Sequence, residues 1–150
     1  FLYNGRKFDI RIWVLLTNNL SVYYFKEGHL KACSVKYDCE SLDNFTHFTN
    51  YSVQKKCKEF SKHEIGNEIS FKTFQNYLNG TGTNKTIKDD IMPQIKEIIM
   101  LTMKSVKYKI NISGKKYCYE VFGYDFILDS NLKVYLLEIN TNPGLEESSP

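Results

Sequence analysis

Arginine is nearly missing from this chain: Arg6 and Arg11 are the only two among 20 basic residues. With asparagine abundant, that bias reflects a genome's base composition more than a function, so a lysine can stand where chemistry would favour arginine. The positive excess is small, a formal +3 at pH 7. No basic block concentrates it, and lysines and aromatics interleave at the density of the whole chain, so no nucleic-acid partner is expected. No apolar run approaches a membrane span and no signal peptide opens the chain, so no membrane role is expected either. The four cysteines (Cys33, Cys39, Cys57 and Cys118) form no CxxC pair and have no histidine at zinc spacing. Free, reduced thiols inside a cell are the expectation. Repeats, low-complexity tracts and internal domain boundaries are also absent.

What is present suits one domain with a real core. The chain has 150 residues and an aromatic share of 15%, high for a globular protein. It opens on Phe1 without a methionine and stops at Pro150, shortly after an Asn-Pro-Gly turn, so a fragment is expected. Residues 7–16 alternate, with Lys7, Asp9 and Arg11 on one face and Phe8, Ile10, Ile12 and Val14 on the other. That pattern predicts a half-buried strand. A turn at Asn18-Asn19, a strand over 20–25, a second turn at Glu27-Gly28 and a strand over 29–35 should follow. Residues 36–68 read as polar and irregular. A short helix is predicted over 71–78, capped by Ser70. A longer one runs from about Asp89 to Tyr108, with Pro93 in its first turn and two aspartates suited to its positive N-terminal end.

The most informative segment is the last. Residues 121–128 and 133–140 are β-branched and aromatic around a turn-rich Asp129-Ser-Asn-Leu, and predict a hairpin. With Asn131 and Leu132 at its tip, Asp125 falls opposite Glu138, and alternation puts Asn140 on the same face as Glu138. Opposed carboxylates lie about 5 Å apart and repel. Such a pair is tolerated where a hard cation sits between, and Mg²⁺ with a bound phosphate suits Asp, Glu and Asn oxygens. The other reading is a polar strand face that meets water, since a one-residue slip would separate the pair. Antiparallel strands with segregated helices make the fold class α+β.

Several segments together resemble the tubulin–tyrosine ligase family: residues 7–11 (KFDIR), Glu27-Gly28, residues 42–44 (LDN), 47–52 (HFTNYS), 122–126 (FGYDF) and 137–140 (LEIN), then Asn142-Pro143. The match keeps its order over nearly the whole chain. The resemblance implies an ATP-grasp-like C-terminal portion, an antiparallel sheet with helices packed on one side, truncated at both ends over residues 1–150. It implies ATP and Mg²⁺ as cofactors, tubulin and a free amino acid as partners, and a cytoplasmic place on the microtubule cytoskeleton. The implied reaction is carboxylate–amine ligation through an acyl phosphate, with the isolated chain expected to be inactive.

By the same resemblance, Asp125, Glu138 and Asn140 hold Mg²⁺, and Lys7, Asp9, Arg11, Thr49 and Asn50 contact nucleotide. Arg11, Lys31 and Glu138 act in catalysis. Lys31 stands where the family carries an arginine for a substrate carboxylate, and a lysine offers only a point charge there. Each residue also has a plainer account. Lys7, Asp9 and Arg11 suit a solvated strand face with cross-strand ion pairs, and Thr49 and Asn50 suit local turn bonding. Trp13 either covers an edge of the site or packs under a neighbour, and His47 is structural. Tyr51-Ser52 is similar to glutamate-adding members, yet Gly66-Asn-Glu-Ile-Ser70 resembles the tyrosine ligases, and an acidic Glu68 would repel glutamate. Tyrosine is therefore the first expectation, glutamate or glycine the second. A catalytically incomplete module that binds nucleotide or tubulin stands as a further alternative.

Overall fold

Alternation makes β1 (Phe8–Thr17) the spine of the molecule. In the computed structural model, which describes residues 1–111 and 113–145, β1 is central in a six-stranded sheet whose pairings are all antiparallel. Phe8, Ile10, Ile12 and Val14 are buried, as the pattern predicted. β5 (Tyr119–Leu128) lies along one side of β1 and pairs outward with β6 (Val134–Asn140). On the other side lie β2 (Val22–Tyr24) and β3 (His29–Ala32), with β4 (Glu68–Ser70) at the far edge.

Glu27-Gly28 does not reverse the chain as expected. β2 and β3 both run antiparallel to β1 and share one of its edges, Val14 facing Tyr24 and Arg11 facing His29. Four residues, 25–28, therefore span the space opposite Ile12 and Trp13, a wide bulge in one interrupted strand. The strand predicted over 29–35 ends at Ala32.

Two helices supply the rest of the core. α3 (Phe71–Gly80) starts where expected, with the Ser70 hydroxyl accepting from the Thr73 amide at 3.1 Å. It buries Phe74 and Leu78. α4 (Met92–Val106) carries Pro93 in its first turn and buries Met92, Ile95, Ile99 and Met103. One wider turn, Ile87–Ile91, precedes it, capped by Thr86, so the helical run starts slightly before Asp89. Both helices pack with Phe8, Ile10 and Ile12 in one hydrophobic cluster, which leaves the Asp9 and Arg11 side of the sheet for other work.

The stretch 36–68 is more ordered than its composition suggested. It holds two short helices, α1 (Asn44–His47) and α2 (Tyr51–Gln54), before β4. Gln54 ties them down from a position with 1% exposure. Its Oε1 accepts from the Ser34 amide and hydroxyl at 2.8 and 2.6 Å, and its Nε2 donates to the Phe45 and Phe48 carbonyls. The Nη2 of buried Arg6 donates to both Glu64 oxygens at 2.6 and 2.8 Å. These are polar anchors, invisible to a search for apolar periodicity. The four cysteines are free, and burial pushes the Cys33 thiol up to about 12, as suits a packing residue.

The hairpin pairs Asp125 with Glu138 as predicted, but by a different route. Its loop has three residues, not two, because Asp129 and Lys133 face each other and Leu132 sits at φ 62°. That shifts the pairing by one, to Leu128 with Val134 and Phe126 with Leu136. A bulge at Leu137 then restores it, so Asp125 meets Glu138 and Gly123 meets Asn140.

Candidate active site

Cross-strand register gathers the charged groups. Arg11 faces Asp125 across β1 and β5, and Asp9 faces Lys31 across β1 and β3. The Arg11 guanidinium forks onto both Asp125 oxygens, at 2.5 and 2.8 Å. Lys31 Nζ bridges the two carboxylates, 3.1 Å from Asp125 Oδ2 and 3.3 Å from Asp9 Oδ1. The Thr49 hydroxyl donates to the other Asp9 oxygen. Asp9 Oδ1 is buried without a directed hydrogen bond, so Lys31 serves it as a nearby charge.

The two aspartates respond oppositely. Burial works to raise the Asp125 carboxyl, but the Arg11 hydrogen bonds and the charges of Lys31 and Arg11 outweigh it and hold it below the usual range. Burial dominates at Asp9, and Asp125 adds repulsion, so its carboxyl lies above that range despite Lys31 and Thr49. The network is a near-neutral quartet of two cations and two carboxylates.

Glu138 and Asn140 flank it. The Asn140 amide nitrogen sits between the carboxylates, 3.1 Å from Glu138 Oε1 and 3.5 Å from Asp125 Oδ2. A donor in that place marks where a cation would meet both acids. Turning the amide would present its oxygen instead, so Asp125, Glu138 and Asn140 fit a hard cation that takes its remaining ligands from phosphate and water. Among the described residues no cluster of three or more His, Cys, Asp or Glu forms a stand-alone metal site.

Two depressions meet at this network. One of about 140 Å³ is lined by Lys7, Asp9, His47, Thr49, Asn50, Asp125 and Glu138. The other, about 860 Å³, is lined by Arg11, Trp13, His29, Lys31, Tyr51 and Glu68 among others, and Asn50 borders both. Each sequence-predicted site residue is thus brought to one place, though several are tethered. Lys7 Nζ donates to the His47 carbonyl at 2.6 Å, Thr49 is engaged by Asp9, and Lys31 is paired on both sides. His47 is held by the Ser41 carbonyl at 2.6 Å. Trp13 packs against His29 and Phe25 and donates to the Gly144 carbonyl at 3.1 Å, so it lines the larger cleft.

Sequence reasoning passed over two features. His29 was signalled by its alternation with Lys31 on β3, and it lies on the cleft side. Gly123 had no stated role, yet a Cβ there would come within 2.8 Å of Pro143 and 3.2 Å of the Arg11 guanidinium. The glycine lets the chain after β6 close over Arg11.

The model of the tubulin-tyrosine ligase family matches residues 1–150. Among similar proteins, tubulin glycylase 3F of Tetrahymena thermophila is 40% identical over 149 residues, 95% of this chain and 16% of that protein. Tubulin monoglutamylase TTLL4 of Homo sapiens is 37% identical over 166 residues, 100% of this chain and 14% of that protein. Tubulin glycylase 3C of Tetrahymena thermophila is 37% identical over 151 residues, covering 97% and 14%. The chain thus spans 14–16% of the length of these relatives.

Proposed function

This chain belongs to the tubulin-tyrosine ligase family, and from that premise we propose that it is part of an ATP-dependent ligase that joins glycine or glutamate to tubulin. The names of the relatives, glycylases and a monoglutamylase, favour those amino acids over the tyrosine that the segment around Glu68 suggested. A cytoplasmic, microtubule-associated enzyme is the matching setting.

The carrying observation is the pair of depressions joined at the Arg11–Asp125–Lys31 network. In the proposed reaction a tubulin carboxylate oxygen attacks the γ-phosphorus of ATP, ADP leaves, and the resulting acyl phosphate is attacked by an amine. Charge spreads over phosphoryl oxygens in the first step, and pre-placed cations lower its cost without rearrangement. Lys7, Thr49 and Asn50 border the smaller depression, which suits the nucleotide's phosphates. Arg11, its fork held by Asp125, and Lys31 each bring a positive charge to the larger cleft where the acceptor and amino acid would lie. Asp125, Glu138 and Asn140 would hold Mg²⁺, which when bound neutralises phosphate charge.

The test is an assay of the full-length protein with purified tubulin, ATP and labelled glycine, glutamate or tyrosine in turn. Transfer of glycine or glutamate is expected, and tyrosine alone would reverse the choice. Glu138→Gln is nearly isosteric, so it should keep the melting temperature and abolish ligation. Near-normal turnover in that variant would remove the hairpin from the chemistry, whereas a parent protein that transfers none of the three amino acids would make the module that only binds nucleotide or tubulin the better account.

A further inference from the structure

The larger cleft contains a group that the phosphoryl chemistry does not use. His29 stands on β3 opposite Arg11. Its ring centroid is 5.1 Å from that of Trp13, and its Nε2 is 3.6 Å from Glu68 Oε1. Both side chains are largely buried, with exposures of 20% and 25%. Neither is closed off, because both line the cleft with Arg11 and Lys31. The cleft is therefore polarised. Arg11 and Lys31 line one part while their partners Asp125 and Asp9 do not, so that part is the positive one and draws an acyl phosphate, and Glu68 gives another part a negative wall that draws an ammonium. His29 lies between them.

A free amino acid arrives as an ammonium, which has no lone pair with which to attack carbon. On the ligase reading proposed above, we infer that His29, oriented by Glu68, accepts the proton of the incoming ammonium and so delivers a neutral amine to the acyl phosphate. In the balanced step one N–H proton passes to the imidazole, and the nitrogen lone pair forms the C–N bond. The C–O bond to phosphate breaks with its electron pair on phosphate, and the second proton leaves with phosphate. Five neighbours face His29: Trp13 packs on it, Glu68 and Asp125 favour its cation, and Lys31 and Arg11 oppose it. Burial is the largest influence and, with the two cations, keeps the imidazole below its ordinary value, so it is neutral and able to accept at pH 7.

The experiment separates the two half-reactions in the full-length protein with tubulin and ATP. Labelled glycine and glutamate each report complete transfer. Hydroxylamine, already uncharged at neutral pH, traps the acyl phosphate as a hydroxamate and needs no base. His29→Gln should lower amino-acid transfer by about 100-fold, as loss of a general base does, while hydroxamate formation stays within about two-fold of the parent. Raising the pH should restore part of the lost transfer, because more amine is then neutral in solution. Glu68→Gln, which removes only the orienting carboxylate, should show the same split at about ten-fold. Unchanged transfer in both variants, or equal loss of amide and hydroxamate in Glu68→Gln, would overturn the assignment. A parent protein that forms neither product would instead overturn the ligase reading beneath it.

Discussion

Gly28 shows how one missing side chain sets the site. The bulge between β2 and β3 presses residue 28 onto β1, and a Cβ there would overlap the Arg11 carbonyl and Ile12 Cδ1 and come within 2.8 Å of Phe71. Ile12 is a core side chain, Phe71 packs against the core, and the third obstacle is the backbone of the residue that grips Asp125. Gly28→Ala should therefore destabilise the protein by about 3 kcal/mol, at the upper end of overpacking costs. A urea titration would register it as a lower midpoint, and the shift of β1 should weaken ligation as well. A midpoint equal to the parent's would mean that the bulge can open freely. In sequence this glycine was legible only as half of a Glu-Gly turn. Its real constraint is a close approach between segments more than ten residues apart, which no local pattern encodes.

At the scale of elements, periodicity found what periodicity can find. β1, α3, α4 and the closing hairpin each repeat apolar residues at the spacing of their own geometry, and each formed where expected. α1, α2 and β4 escaped because they are three or four residues long and are held by Gln54, Arg6 and Asn67, polar side chains whose partners lie far along the chain. The hairpin's pairing was legible although its turn was not, since a longer loop and a bulge offset each other. Two loops carry the same unusual feature, a leucine with positive φ: Leu20 at 64° after β1 and Leu132 at 62° after β5. A branched side chain in that region costs about 1 kcal/mol. Leu132 is buried, with 4% exposure, and gains packing in return, whereas Leu20 is 40% exposed and gains little. Leu20→Gly should thus raise stability by about 0.5 kcal/mol, the relief of strain less the extra freedom of an unfolded glycine. Leu132→Gly should lower it. Paired melting curves test both, and two changes of the same sign would refute the strain account.

For the whole molecule, the charged quartet couples the fold to the proposed ligation. The site residues were legible because their motifs are local, and the hairpin register already set Asp125 against Glu138. The pairing of Arg11 with Asp125 and of Asp9 with Lys31 was not, since it depends on two further strand registers. Asp125 is depressed in the folded state, so its contribution is present above the unfolded carboxylate range and is lost as pH falls through the folded value. Asp9 is raised, so it favours folding below the unfolded range and loses that contribution as pH rises through its folded value. At pH 7 the first supports the fold and the second opposes it. Asp125→Asn should cost about 3 kcal/mol at pH 7, because Arg11 is left as a buried charge without its partner, and the cost should shrink in acid. Asp9→Asn should instead raise the melting temperature at pH 7, with the gain fading in acid where Asp9 is already protonated. The Thr49 hydroxyl can still donate to the amide oxygen, so the local geometry should persist. Yet Asp9→Asn should also slow ligation, because Lys31 would be left with Asp125 alone and would turn away from the shared wall of the two depressions. A protein that becomes more stable and less active by the same substitution would mark Asp9 as held in an unfavourable state for the sake of the site. Melting curves and ligation rates for both variants from pH 4 to pH 8 would decide it, and a destabilised Asp9→Asn at pH 7 would show that Lys31 outweighs burial there.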